Sequence, residues 1–262
     1  MTEYRAPESI VNPKSKIIMG VQEHFRREYA RRKPGWQHSL FVFRELVDRH
    51  TAPGARILDI GCGHADFLQP IYAKTPHVTG CDPDAGALRL NTTIANRIAG
   101  LADDLPFADG QFDAAVLVFV LEHLERPDRA FREIHRVLTP GGKVIFLTPN
   151  AWNYNTWVIR ATPHRLRDWL ARRLHGRQAG DTYPVRYRVN TARRIEQVLT
   201  PIGFCRAELI LHGDPTYLGV NRPLFTVACA IERLLDWPAL QSARVHILAA
   251  YEKAIDCTPL HQ

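Results

Sequence analysis

At 262 residues the chain fits one large α/β domain, or a domain with an appended cap. Its 45% hydrophobic and 23% charged residues are those of a soluble globular protein rather than a disordered one, and no stretch approaches the ~20 apolar residues of a membrane-spanning helix. The formal net charge of +7 is concentrated: Arg160 to Arg194 holds ten arginines against two aspartates, so that segment carries +8 and the remainder −1, unlike the spread-out charge of a generic nucleic-acid coat.

Residues 1–20 contain no continuous apolar run, so a secretory signal is not expected. The five cysteines (Cys62, Cys81, Cys205, Cys229 and Cys257) are odd in number and form no CxxC pair. That argues against a disulfide framework or structural zinc and for a cytoplasmic setting.

Residues 16–50 read as helical, broken at Pro34-Gly35. Short apolar runs then alternate with helical patterns. Strands are expected at Arg56–Ile60, His77–Cys81, weakly near Thr92–Ile98, at Phe112–Phe119 and at Lys143–Thr148. A helix is expected over 64–73, and an amphipathic one over Pro127–Leu138, stopped by Thr139-Pro-Gly-Gly142. Alternation of this kind implies a doubly wound, mostly parallel sheet, because parallel neighbours need crossover helices. Ligands in such sheets bind beyond the carboxyl ends of the strands.

After Asn150 the rhythm changes. Residues 151–190 read as an Arg-rich insertion. A helix at Thr191–Leu199, a strand at Phe204–Leu211, an apolar helix at Leu224–Leu235 and a last strand at Ala243–Tyr251 complete the sheet. The organisation expected is an N-terminal helical cap (1–50), a ligand-binding core (51–150), the insertion (151–190) and a C-terminal completion (191–262).

Chemistry is concentrated in three places. Ile57-Leu-Asp-Ile-Gly-Cys-Gly-His64 runs a strand into a glycine turn and toward a helix. Gly61 and Gly63 permit positive φ and close approach of a ligand, and helix amides could meet a carboxylate. Two glycines after a strand also suit a purely structural turn. Asp82, about 20 residues on at the end of the next strand, suits a ribose diol, or else caps the following helix. The third place is Asp103-Asp-Leu-Pro-Phe107, followed after the fourth strand by Val120-Leu-Glu-His123 and later by Leu138-Thr-Pro-Gly-Gly142 and Thr148-Pro149-Asn150.

In this order and spacing, residues 57–150 resemble the class I S-adenosylmethionine-dependent methyltransferases, in the branch with ubiquinone- and menaquinone-type enzymes, with a looser echo in 183–211. The resemblance implies a Rossmann-like sheet of seven strands with S-adenosylmethionine as cofactor. It implies that Asp59, Gly61, Cys62 and Gly63 meet the methionine part, that Asp82 binds the ribose, and that Val118, Phe119 and Val120 line the methyl site. The third glycine of the family's turn is Ala65 here, and the usual adenine-binding acid is Leu101, leaving adenine to the backbone of Ala102 or to Asp103. Glu122 and His123 match the family's Glu-His pair, and His123 is the candidate catalytic base, although such a pair can equally serve to order its loop.

The acceptor is open. No Asn-Pro-Pro-Tyr-type motif follows the fourth strand and no Pro-Cys pair exists, which disfavours methylation of nucleic-acid bases. O-methylation of a small molecule is the expectation, on an acceptor that is anionic or lipid-linked. Tyr183–Thr191 resembles a substrate-capping segment. In an extended chain Arg186 and Arg188 would share a face and address an anion, beside Tyr187; a solvated basic face is the alternative. His164 is a further candidate substrate contact in the insertion. The apolar helix near Leu224–Ile231 reads as core or as a homodimer interface, with membrane binding the less favoured alternative. An RNA or protein methyltransferase using the basic segment, and a non-catalytic partner that keeps the fold, are the competing readings. A nicotinamide dehydrogenase is disfavoured by Asp66, where a third turn glycine would stand.

Overall fold

The computed structural model describes residues 13–64, 67–154, 156, 184–219 and 221–254. The chain divides into two compact units. One comprises 40–151, 185–211 and 246–262; the other comprises 1–39, 152–184 and 212–245.

The first unit carries the sheet. Its strands are β1 (Ile57–Ile60), β2 (Val78–Asp82), β3 (Asn96–Ala99), β4 (Phe112–Val118), β5 (Leu138–Pro149), β6 (Phe204–His212) and β7 (His246–Lys253), in the order β3-β2-β1-β4-β5-β7-β6. From β3 across to β5 all pairs are parallel, and β7 runs antiparallel to β5. The central strands are buried on both faces, which is why β1 and β4 read as near-continuous apolar runs. One face packs Leu58, Leu117 and Phe146 against Phe131 and Ile134; the other packs Ile57, Val116 and Ile145 against Phe43, Leu46 and Val47.

Those last three residues belong to α2 (Ser39–His50), which follows α1 (Pro13–Arg32) after the break at Pro34-Gly35. The helix α5 (Pro127–Val137) starts with Pro127 at a position that needs no amide hydrogen, and it buries Ala130, Phe131, Ile134 and Val137 on one stripe. The helix α6 (Ala192–Leu199) is capped by Thr191, whose hydroxyl accepts the Arg194 amide at 3.2 Å.

Three expectations change. The helix expected over 64–73 contracts to α3 (Gln69–Tyr72), whose first turn contains Pro70, a residue a helix interior does not accept. Among the described residues no helix amide end stands at the glycine turn. The third strand begins at Asn96, because the Asn91 side chain accepts the amides of Thr93 and Ile94 and holds that stretch in a turn. And Thr139–Gly142 does not separate helix from strand: β5 already begins at Leu138 and crosses those residues with an irregularity opposite Phe112–Ala114.

In the second unit, α1 and α7 (Arg222–Leu234) meet through Phe25 and Phe225, stacked at 4.4 Å. Asn221 caps α7 by accepting the Leu224 amide at 3.0 Å. Among the described residues no helix is long and apolar enough to cross a membrane.

Candidate functional site

The carboxyl ends of β1, β2 and β4 converge on the glycine turn. Gly61 has φ +72 and donates its amide to the Cys81 carbonyl at 2.7 Å. A Cβ there would lie 2.4 Å from Val120 Cγ2, so the absence of a side chain lets β1 and the residues after β4 close together. Gly63 has φ +47, and a Cβ there would meet nothing within 4 Å. The first glycine is thus required by packing, and the second faces open space.

The Gly63 peptide is held from both sides. Its amide donates to Asp82 Oδ2 at 2.9 Å, and its carbonyl accepts from Asn91 Nδ2 at 3.0 Å. The other Asp82 oxygen accepts the Asp84 amide at 2.8 Å. A carboxylate has about four lone-pair sites, so both oxygens keep acceptor capacity. Asp82 is not the cap of the next helix. Asp84 caps α4 (Ala85–Leu90) by accepting the amides of Gly86 and Ala87 at 2.7 and 3.1 Å. An open turn, a backbone bare of side chains and an acid with spare acceptors at the strand end fit a nucleoside cofactor bearing an amino-acid tail.

Asp59 lies beneath the turn, buried, and accepts the Tyr72 hydroxyl proton at 2.6 Å. Burial pushes its pKa up to about 7; the Tyr72 hydrogen bond opposes this and the Asp82 charge adds to it. The Cys62 thiol points into the core beside Gly80, where burial raises its pKa well above the usual range, so only its backbone faces the turn.

Across the sheet edge, Ala102 and Asp103 are half-buried. Asp103 Oδ2 pairs with Arg126 at 2.9 Å, and its carbonyl accepts from Arg129 at 2.9 Å. The Leu-Pro-Phe block behind them is tied to α5: Arg136 donates to the carbonyls of Leu105 and Phe107 at 3.0 and 2.7 Å, and Glu133 accepts the Leu105 amide at 3.0 Å. Leu101, where the family's acid would be, is exposed.

β4 ends at Val118, and Phe119 follows with φ +55. A left-handed conformation is unfavourable for a side chain of this size and tends to persist at functional positions. The Phe119 amide donates to the Leu147 carbonyl at 2.8 Å, and its ring lies 5.8 Å from that of His246. His246 is buried and pairs with Pro149; β7 runs antiparallel, so its first residue reaches the same edge as the ends of the parallel strands. Sequence reasoning missed His246, because its position depends on the direction of β7.

His123 ends a short 3-10 turn, Leu121–His123, beyond Phe119. The neighbouring Glu122 organises this corner. Its carboxylate accepts the Thr148 hydroxyl at 3.2 Å, and Thr148 accepts from Asn190 Nδ2 at 2.5 Å. Its carbonyl accepts the amides of Arg186 and Tyr187 at 2.7 and 3.2 Å. The segment expected to cap a substrate is therefore joined by its backbone to the residues after β4. It is not extended, however. Tyr187 has φ +51 and the chain bends at Arg188 and Val189, so the alternation that would align Arg186 with Arg188 is broken. Arg186 sits 3.4 Å from Glu125, and Arg188 is exposed. His164 and Ala65 lie outside the described residues. Among those described, no cluster of His, Cys, Asp and Glu could hold a metal ion.

The family model and the curated relatives that match the chain are methyltransferases. A family model described as a methyltransferase domain matches residues 58–146. The chain is 30% identical over 176 residues to the ubiquinone/menaquinone biosynthesis C-methyltransferase UbiE of Cupriavidus metallidurans, a match covering 61% of this chain and 68% of that protein. It is 33% identical over 121 residues to a demethylmenaquinone methyltransferase of Streptomyces avermitilis, covering 42% of this chain and 52% of that one, so it spans about half of that relative's length. In fold it resembles an S-adenosylmethionine-dependent methyltransferase from Mesorhizobium loti, with a TM-score of 0.54 and 19% identity, covering 79% of this chain and 96% of that chain.

Proposed function

Because the chain belongs to the class I S-adenosylmethionine-dependent methyltransferase family, we propose that it methylates a ring carbon of a small quinol-type acceptor. The observation that carries the acceptor reading is Phe119, half-buried in a left-handed backbone between Val118 and Val120 at the end of β4. It presents an apolar, aromatic surface that suits a flat ring. The two relatives named as quinone-pathway methyltransferases support the same choice.

Bound S-adenosylmethionine supplies an electrophilic methyl group on a sulfonium. The chain's own residues supply placement, which accounts for much of the rate in an in-line displacement. The Gly61–Gly63 turn and Asp59 receive the methionine end, and Asp82 accepts the ribose hydroxyls. The backbone of Ala102 and the carboxylate of Asp103 hold the adenine side. His123 takes the hydroxyl proton of the acceptor, which makes the ring carbon electron-rich; after methyl transfer the ring carbon loses its proton and the oxygen regains one, restoring the aromatic quinol. Arg186, Tyr187 and Arg188, whose segment is joined by its backbone to Glu122, contact the acceptor.

Incubation with methyl-labelled cofactor and a demethylated quinol, followed by NMR of the product, tests this. Label on a ring carbon is the expected result. Label on an oxygen would restore the O-methylation favoured by the sequence pattern. Label found only in RNA or protein would replace the small-molecule reading altogether.

A further inference from the structure

A helix that is apolar on all sides is normally buried on all sides. The helix α7 departs from this. One face, Phe225, Ala228, Cys229 and Glu232, is buried within its unit. The opposite face is also apolar and is exposed: Leu224 is 40% exposed, Val227 53% and Leu234 64%. The stripe continues beyond the helix end into Trp237, 74% exposed, and Leu240, 42%. The spacing 224, 227, 234 places these side chains along one line of the helix, with Ile231 between them half-buried against the Leu235 and Val245 cluster.

The charges around the stripe sum to a positive balance. Arg233 is exposed beside it, and the exposed Arg222 pairs with Glu28 at 3.5 Å, an acid that Arg32 also contacts. The acids of the same stretch are Glu232, which is buried, and Asp236, which is neutralised by Lys33 and Arg244 at 2.5 and 2.8 Å. Two occupants could cover such a stripe. A second copy would bring like charges together, and a stable protein interface needs roughly 20–30 residues a side, several times what the stripe offers. An anionic lipid surface meets both features. Apolar side chains with a tryptophan enter the boundary between headgroups and acyl chains, and arginines stay at the headgroup level.

We propose that the stripe from Leu224 to Leu240 docks this protein on an anionic lipid surface. The helix lies in the interface and does not cross it.

Sedimentation of the full-length chain with vesicles tests the proposal. Binding is expected to mixed phosphatidylcholine and phosphatidylglycerol vesicles, much weaker binding to phosphatidylcholine alone, and partial release by salt, which screens the arginines but not the apolar contact. Trp237→Ala and Leu234→Asp should each weaken binding by about tenfold or more, with melting temperatures close to that of the native chain because both side chains face solvent. Absence of native binding to the anionic vesicles overturns the proposal, as does binding that both variants leave intact. So does sedimentation velocity showing that Leu234→Asp converts a dimer to a monomer, which would assign the stripe to a second copy. If a variant fails to fold, the contrast between the two vesicle types on the native chain, together with Leu224→Asp, still decides.

Discussion

The Asp82 carboxylate accepts the Gly63 amide at 2.9 Å, so the acid at the end of β2 holds in place the glycine turn at the end of β1. Asn91 completes the grip by donating to the Gly63 carbonyl at 3.0 Å. Asp82 therefore has two tasks, shaping the turn and receiving a ligand.

Asp82→Ala removes both. One hydrogen bond to a charged group is worth about 1.5–3 kcal/mol, so S-adenosylhomocysteine affinity should fall roughly 10- to 150-fold. Asp82→Asn should lose less, because an amide keeps one acceptor. Asp84→Ala is the control: it removes the cap of α4, costs about 1 kcal/mol of stability and leaves affinity nearly unchanged. Calorimetric titrations and melting curves on the three variants separate these outcomes. Unchanged affinity in Asp82→Ala would remove the ribose role.

The two glycines of the turn should fail in different ways. Gly61→Ala combines a left-handed φ with a clash against Val120, so it should lower the melting temperature strongly. Gly63→Ala meets open space and carries only the cost of its backbone, roughly 1–2 kcal/mol. Its methyl group would project where a ligand approaches, so cofactor affinity should fall by more than stability. Equal losses of affinity and stability at Gly63 would mean that the turn is structural only.

Cofactor choice is tested directly by calorimetry on the native chain. The open turn, the placement of Asp82 and the family match predict binding of S-adenosylhomocysteine and little binding of NAD. Preferential binding of NAD would overturn the site.

Asp59 predicts a pH dependence. Its pKa rises from 3.8 when unfolded to about 7 when folded, so the folded state binds the extra proton between those values. Its contribution is favourable at low pH and is lost as pH rises from about 4 through about 7. Glu232, also pushed up to about 7 by burial, acts in the same direction. Asp59→Asn keeps an acceptor for Tyr72 and cannot ionise. The variant should therefore match the native chain below about pH 4 and exceed it by a margin that grows up to about pH 7 in thermal melts, with Glu232 present in both. A constant difference across that range would show that Asp59 does not titrate.

Replacing both Arg186 and Arg188 with Ala should lower kcat/KM for the acceptor roughly 10- to 150-fold if one charge-assisted hydrogen bond is lost, and should leave S-adenosylhomocysteine affinity unchanged. The single variants locate the effect, since Arg186 already faces Glu125 and Arg188 is exposed. Native kcat/KM in the double variant would reduce the pair to a solvated basic surface.

The sequence by itself determined what depends on near neighbours in the chain. The apolar runs of β1, β2 and β4, the stripe of α5 and the glycine turn with an acid about 20 residues later were legible because strand and helix periodicity and positive φ are local properties. Together they were enough to indicate a parallel sheet and a nucleoside-binding edge. Only the tertiary structure decided which distant groups hold that edge. Asn91 reads as an ordinary polar residue until it meets Gly63, and Arg136 as a surface cation until it meets the carbonyls of Leu105 and Phe107. His246 reaches the site edge because β7 enters antiparallel between β5 and β6, and no local pattern encodes strand order or direction. Likewise the positive φ of Phe119 and Tyr187 is imposed on residues that do not favour it, by the Leu147 carbonyl that Phe119 meets and the Glu122 carbonyl that Tyr187 meets. Local propensity specifies the elements, and long-range hydrogen bonds and packing specify where their ends meet.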